Sequence, residues 1–90
     1  MHIEKQITII NKLGLHARAA SKLVGLASRF ESTITLDREG QHADAKSIMS
    51  VLMLAASKGS VLTVSVSGGD AEQALSELEQ LINNRFDEAE

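Results

Sequence analysis

Three stretches of the chain alternate apolar and polar residues with a period of two. Ile3, Ile7 and Ile9 share one parity against Glu4, Gln6 and Thr8; Ile34 and Leu36 stand against Thr33 and Thr35; Leu62, Val64 and Val66 stand against Thr63, Ser65 and Ser67. Such alternation fits only strands with one buried and one wet face, so the sheet they form must be covered on one side and open on the other. The cover is visible in the same sequence. Ala20, Leu23, Val24, Ala27 and Phe30 step at helical spacing, which predicts a first helix beginning near His16. Ser47 precedes a short apolar segment, Ile48 to Ala56, read as a second helix that Lys58 and Gly59 bring to an end. Asp70 and Gln73 have capping-box spacing, and Ala71, Ala74, Leu75, Leu78, Leu81, Ile82 and Phe86 predict a third helical stripe without interruption. Gly40 allows the polar segment Asp37–Gly40 to reverse the chain, so the run ending at Leu36 pairs as a hairpin with Gln41–Ala45. The order is βαββαβα: an α+β open-faced sandwich of split βαβ type, with a four-stranded antiparallel sheet and three helices on one face. Residues 1–90 are expected to form one domain.

Composition removes several function classes. The chain has 9 basic and 12 acidic residues for a net charge of −3, and only Phe30 and Phe86 are aromatic. A phosphate-neutralising surface and the stacking platforms of single-strand binders are therefore not expected, and nucleic acid is not a predicted partner. There is no cysteine, which removes disulfides, thiolate metal sites and thiol nucleophiles. The amino-terminal MHIEKQ does not resemble a signal peptide, and the longest apolar run is far too short to cross a membrane. A cytoplasmic protein without membrane partners is expected.

Unusual chemistry is concentrated in one segment, Asn11-Lys12-Leu13-Gly14-Leu15-His16-Ala17-Arg18. Gly14 permits the tight turn between a strand and a helix, and His16 falls where the first helical turn leaves N–H groups without intrahelical partners. Such a helix end attracts anions, and a neutral ring placed there is expected to have a lone pair available for attack. A phosphoryl group on His16 would meet that positive end, and Arg18 would add a charged donor to its oxygens. Asn11, at the start of the loop, is placed to hold the ring through its amide. Elsewhere, the second helix is apolar on nearly every side, so some of Ile48, Met49, Leu52 and Met53 should stay at the surface and suggest a protein partner. His2 and His42 show no metal-site spacing; no metal or cofactor is expected. Glu77, Glu79, Asp87, Glu88 and Glu90 read as a solvated helix face and tail.

The segment NKLGLHARAA resembles the active-site segment of the HPr family, the histidine-phosphorylated carriers of the bacterial phosphoenolpyruvate-dependent phosphotransferase system. The resemblance extends to KSIM at Lys46–Met49, to Lys58-Gly59 and to the order of elements. It implies that His16 takes a phosphoryl group from Enzyme I and passes it to IIA-type proteins. It makes Arg18 the assisting cation and places Asn11 and Ala17 in the active centre. Leu15, Ile48, Met49 and Leu52 become the contact surface for those partners. It also matches Ser47 to a serine that a dedicated kinase and phosphorylase control in some members, where a charge beside the apolar surface would oppose docking. A phosphocarrier of this kind is not itself an enzyme, and a monomer is expected. The chain departs from the family's HARPA by placing Ala19 where a proline is usual, which implies a looser helix start. LMLAASKG and the acidic ending resemble the nitrogen-regulatory branch. The residues alone leave a second reading open: a small non-enzymatic regulatory or anion-binding module of the same fold.

Overall fold

The computed structural model describes residues 1–90. The elements run β1 (His2–Thr8), α1 (Ala17–Ala27), β2 (Thr33–Arg38), β3 (Gln41–Asp44), α2 (Ile48–Met53), β4 (Val61–Ser67) and α3 (Ala71–Asn83), followed by a 3-10 turn at Arg85–Asp87. The sheet order is β1-β4-β2-β3 with every neighbouring pair antiparallel, so β4 lies between β1 and β2, which run parallel and are joined across α1.

Register explains the core. Val66 pairs with Ile3 on one side and Ile34 on the other, while Leu36 sits between Val64 and Ala43. Their side chains share the covered face, where α1 contributes Ala19, Ala20, Leu23 and Ala27 and α3 contributes Ala71, Ala74, Leu78 and Ile82. The alanines let both helices approach closely, and the longer residues fill the space between. Thr8 and Thr33 are exposed on the open face. Lys5 breaks the apolar parity of β1, and its ammonium pairs with Glu79 of α3 at 2.8 Å. An exposed lysine on an edge strand discourages pairing with another chain.

Two boundaries and one cap differ from what the sequence predicts. α2 stops at Met53 instead of reaching Ala56, because Ala55 turns into the left-handed region at φ 50°. α3 stops at Asn83, and the stripe toward Phe86 is interrupted: Arg85, Phe86 and Asp87 all have positive φ (57°, 53° and 64°). Phe86 is nevertheless completely buried, delivered to the core by the turn and not by a helix. Asp70 precedes α3 but makes no capping bond to it. Its carboxylate instead accepts from the Glu31 N–H at 2.9 Å, the Ser32 N–H at 3.0 Å and the Ser32 hydroxyl, tying the α1–β2 connection to the start of α3. Gly68 allows this approach, since a Cβ there would stand 2.7 Å from Ser32 Cα.

Candidate functional site

The chain leaves β1 through Ile9, fully buried, and turns at Asn11–Gly14. The Gly14 N–H donates to the Asn11 carbonyl at 3.2 Å, and Asn11 Nδ2 donates back to the Gly14 carbonyl at 2.8 Å. Gly14 is required on two counts: φ is +68°, and a Cβ would lie 2.5 Å from the Ala56 carbonyl oxygen. The next residue, Leu15, donates its N–H to that same carbonyl at 2.8 Å and buries its side chain. Leu15 therefore belongs to the core and not to the contact surface expected for it; the exposed neighbour is Leu13, at 66%.

His16 is the N-cap of α1, with extended backbone (φ −77°, ψ 177°) and its carbonyl accepting from Ala20 N–H at 2.8 Å. Ala17, Arg18 and Ala19 occupy the first helical positions, whose N–H groups have no intrahelical acceptor. No acidic residue lies in this first turn, so the positive helix end is not neutralised from within the helix. The side chain of His16 makes no capping bond and points elsewhere: its Nε2 lies 2.5 Å from Glu88 Oε2. The ring remains 28% exposed, and Nδ1 carries no hydrogen bond to the protein.

Glu88 is the residue that local spacing did not reveal. It lies 72 positions from His16, its side chain is only 15% exposed, and its other oxygen accepts from Asn11 Nδ2 at 3.0 Å. Asn11 thus holds the imidazole through Glu88 and not directly, as its place in the loop suggested. Both amide hydrogens of the buried Asn11 are committed, to Gly14 and to Glu88, while its Oδ1 has no partner. The Glu88 carboxyl is held below the usual glutamate range, first by the Asn11 hydrogen bond and then by that of His16, with the charges of His16 and Arg18 assisting and burial opposing. The expected solvated tail is in fact strapped down. Phe86 fills the core, Lys22 Nζ donates to the Phe86 carbonyl at 2.8 Å, and Lys12 N–H donates to the Glu90 carbonyl at 2.5 Å. The only hint in the sequence is a carboxylate two residues beyond an isolated phenylalanine.

Between this strap and the α1 start opens a cavity of about 520 Å3, lined by His16, Arg18, Lys12 and Glu88 among others. Arg18 is exposed and its guanidinium is unpaired, free to meet an anion there. On the neighbouring α2, Ile48 (38%), Met49 (66%) and Met53 (73%) are exposed, whereas Leu52 is half-buried against the core. α1 and α2 pack together, so this apolar surface is on the helix beside the one His16 begins. Ser47 is the N-cap of α2, its hydroxyl accepting from Ser50 N–H at a long 3.4 Å.

The protein-family model described as PTS HPr component phosphorylation site matches residues 3–84. The phosphocarrier protein HPr of Cupriavidus necator is 51% identical over 88 residues, spanning 98% of this chain and 99% of its own. The phosphocarrier protein NPr of Shewanella violacea is 46% identical over 87 residues, 97% of this chain and 96% of its own. Among solved structures, the crystal structure of HPr from Thermoanaerobacter tengcongensis superposes with a TM-score of 0.94 at 41% identity, covering 98% of this chain and 99% of that one.

Proposed function

Since this chain belongs to the HPr family of phosphotransferase-system phosphocarriers, we propose that His16 is the residue that carries the phosphoryl group, received from Enzyme I and passed to a IIA-type protein. One observation carries this reading: a partly exposed imidazole at the start of α1, engaged at Nε2 and open at Nδ1, beside an unpaired arginine. A neutral ring attacks phosphorus through its lone pair, and the transferred oxygens then lie near the free N–H groups of the first turn and the Arg18 guanidinium. Ala17 contributes through its backbone N–H, since its side chain offers no chemistry. Ala19 keeps an N–H that the family's usual proline lacks.

Docking is assigned to the apolar surface of Ile48, Met49 and the edge of Leu52, with Met53 and Leu13 joining it and Leu15 withdrawn. No helix is long and apolar enough to cross a membrane, and the setting proposed is the cytoplasm, with the chain acting as one domain and as a monomer. Incubation with phosphoenolpyruvate and Enzyme I should attach one acid-labile, base-stable phosphoryl group to the wild type and to Ser47→Ala, but none to His16→Ala. Undiminished labelling of His16→Ala would reject the assignment and favour reversible anion binding by the same loop.

Ser47 is proposed as a regulatory site for a serine kinase and phosphorylase. A phosphate there would bring a charge of about −1.5 to −2 next to Ile48 and Met49, opposing desolvation of that surface by a partner. Ser47→Asp should slow phosphoryl transfer from Enzyme I without lowering the melting temperature; equal transfer rates would remove the switch.

A further inference from the structure

We propose that Glu88 is a positioning residue for His16: its carboxylate keeps the proton on Nε2, presents the Nδ1 lone pair to the incoming phosphorus, and balances the ring's charge once the phosphoryl group is attached. The inference rests on the reading of His16 as the phosphoryl acceptor.

The arrangement differs from an ordinary surface ion pair in how firmly the carboxylate is held. His42 lies 2.8 Å from Asp37, but its side chain is 72% exposed and faces solvent, a setting in which such pairs contribute little. Glu88 is 15% exposed, one oxygen is fixed by a buried asparagine that is itself tied to the Gly14 carbonyl, and the other meets Nε2 at 2.5 Å. Phe86, two residues earlier, is fully buried, and the Glu88 N–H donates to the Arg85 carbonyl at 2.9 Å. The backbone leading to the carboxylate is thus set by packing. A carboxylate accepting from one nitrogen of an imidazole selects the tautomer in which the other nitrogen has its lone pair free.

The bookkeeping of the transfer then closes without moving a proton. The Nδ1 lone pair forms the N–P bond, the bond between phosphorus and the donor breaks, and its electron pair leaves with the donor. The ring, still protonated on Nε2, becomes a phospho-imidazolium whose positive charge lies against Glu88. On unloading, the acceptor's nucleophile bonds to phosphorus and the N–P electron pair returns to Nδ1, restoring the neutral ring. Arg18 remains available to the phosphoryl oxygens throughout, because the carboxylate that could have captured it is occupied by Asn11 and His16.

The test compares wild type, Glu88→Gln and Glu88→Asp in two measurements. Gln keeps an oxygen for Asn11 while removing the charge; Asp keeps the charge on a shorter arm. In phosphoryl transfer from the charged donor enzyme, the saturating rate of Glu88→Gln should fall about tenfold, the loss of one charge-assisted hydrogen bond. The concentration giving half-maximal rate should be unchanged, and Glu88→Asp should fall between the two. In proton NMR, the Nε2–H resonance should lie far downfield in the wild type and return toward the ordinary imidazole position in Glu88→Gln. A Glu88→Gln rate equal to or faster than wild type would overturn the positioning role while leaving His16 as the acceptor. A wild type that takes no label on His16 would overturn the acceptor assignment and this inference with it.

Discussion

Asp70 and Glu88 both sit beside the ends of α3, and both carboxyl groups are drawn below their usual range by hydrogen bonds, the first by the Ser32 hydroxyl foremost, the second by Asn11 foremost. Their partners separate them. Asp70 accepts from a hydroxyl and two backbone N–H groups, none of which changes charge near neutral pH. Glu88 accepts from an amide and from an imidazole that opens into a cavity beside Arg18. One clasp joins two parts of the scaffold; the other joins the scaffold to the imidazole proposed to carry the phosphoryl group. A lowered carboxyl pKa is therefore not enough to mark a working site, and the chemistry of the donor on the far side decides.

The contrast can be broken most severely at Phe86. Phe86→Ala should cost about 3–5 kcal/mol in denaturant unfolding, as for other fully buried aromatics, and should release the strap that delivers Glu88 while leaving the Asp70 clasp in place. In the folded fraction, the downfield Nε2–H signal should vanish and the protection of the Ser32 amide from hydrogen exchange should persist. Loss of both would mean that the two clasps form one cooperative unit.

A smaller effect is expected from Asp70→Asn. Because the folded carboxyl has a lowered pKa, its stabilisation is complete above the ordinary aspartate value of about 3.9 and is lost as pH falls through the lower, folded-state value. Thermal melts from neutral to strongly acidic pH should show the variant less stable than wild type at neutrality, with the difference shrinking in acid. Phosphoryl uptake at low temperature should be unchanged. Smallest is the stability change of Glu88→Gln, which has the same sign, with its contribution full above the ordinary glutamate value of about 4.3. Its melting temperature should drop less than that of Asp70→Asn, since it secures a tail and not a connection within the sheet-and-helix body. A larger drop would make Glu88 chiefly a structural clasp.

These comparisons also show where sequence was readable. The alternation of Ile34 and Leu36 and of Leu62, Val64 and Val66 specified a one-sided sheet, because period-2 patterning is local and each strand carries its own copy. His16 and Arg18 were legible because Gly14 marks the turn that puts them at a helix start. The roles of Asp70 and Glu88 were not. Asp70 has capping spacing to Gln73, yet its carboxylate finds donors 38 and 39 residues away, and no local pattern encodes that competition. Arg85, Phe86 and Asp87 enter the left-handed region with no glycine to announce it, so the apolar spacing alone extends the helical stripe through Phe86 and leaves the tail beyond it free. Leu15 escapes the sequence for a related reason: it lies within the His16 segment, but the close approach of Gly14 to Ala56 leaves it buried.

The placement of β4 between β1 and β2 has a consequence for the order in which the protein becomes itself. During synthesis β1 emerges before β4, yet its partner spans Val61–Ser67, so β1 must wait, with both edges unpaired, until β4 is made. Pairings so distant along the chain slow folding and leave unsatisfied edges available to neighbours in the interval. The imidazole that begins α1 is made 72 residues before the carboxylate it meets, so on the proposed reading a nascent chain displays the ring before it has the means to aim it.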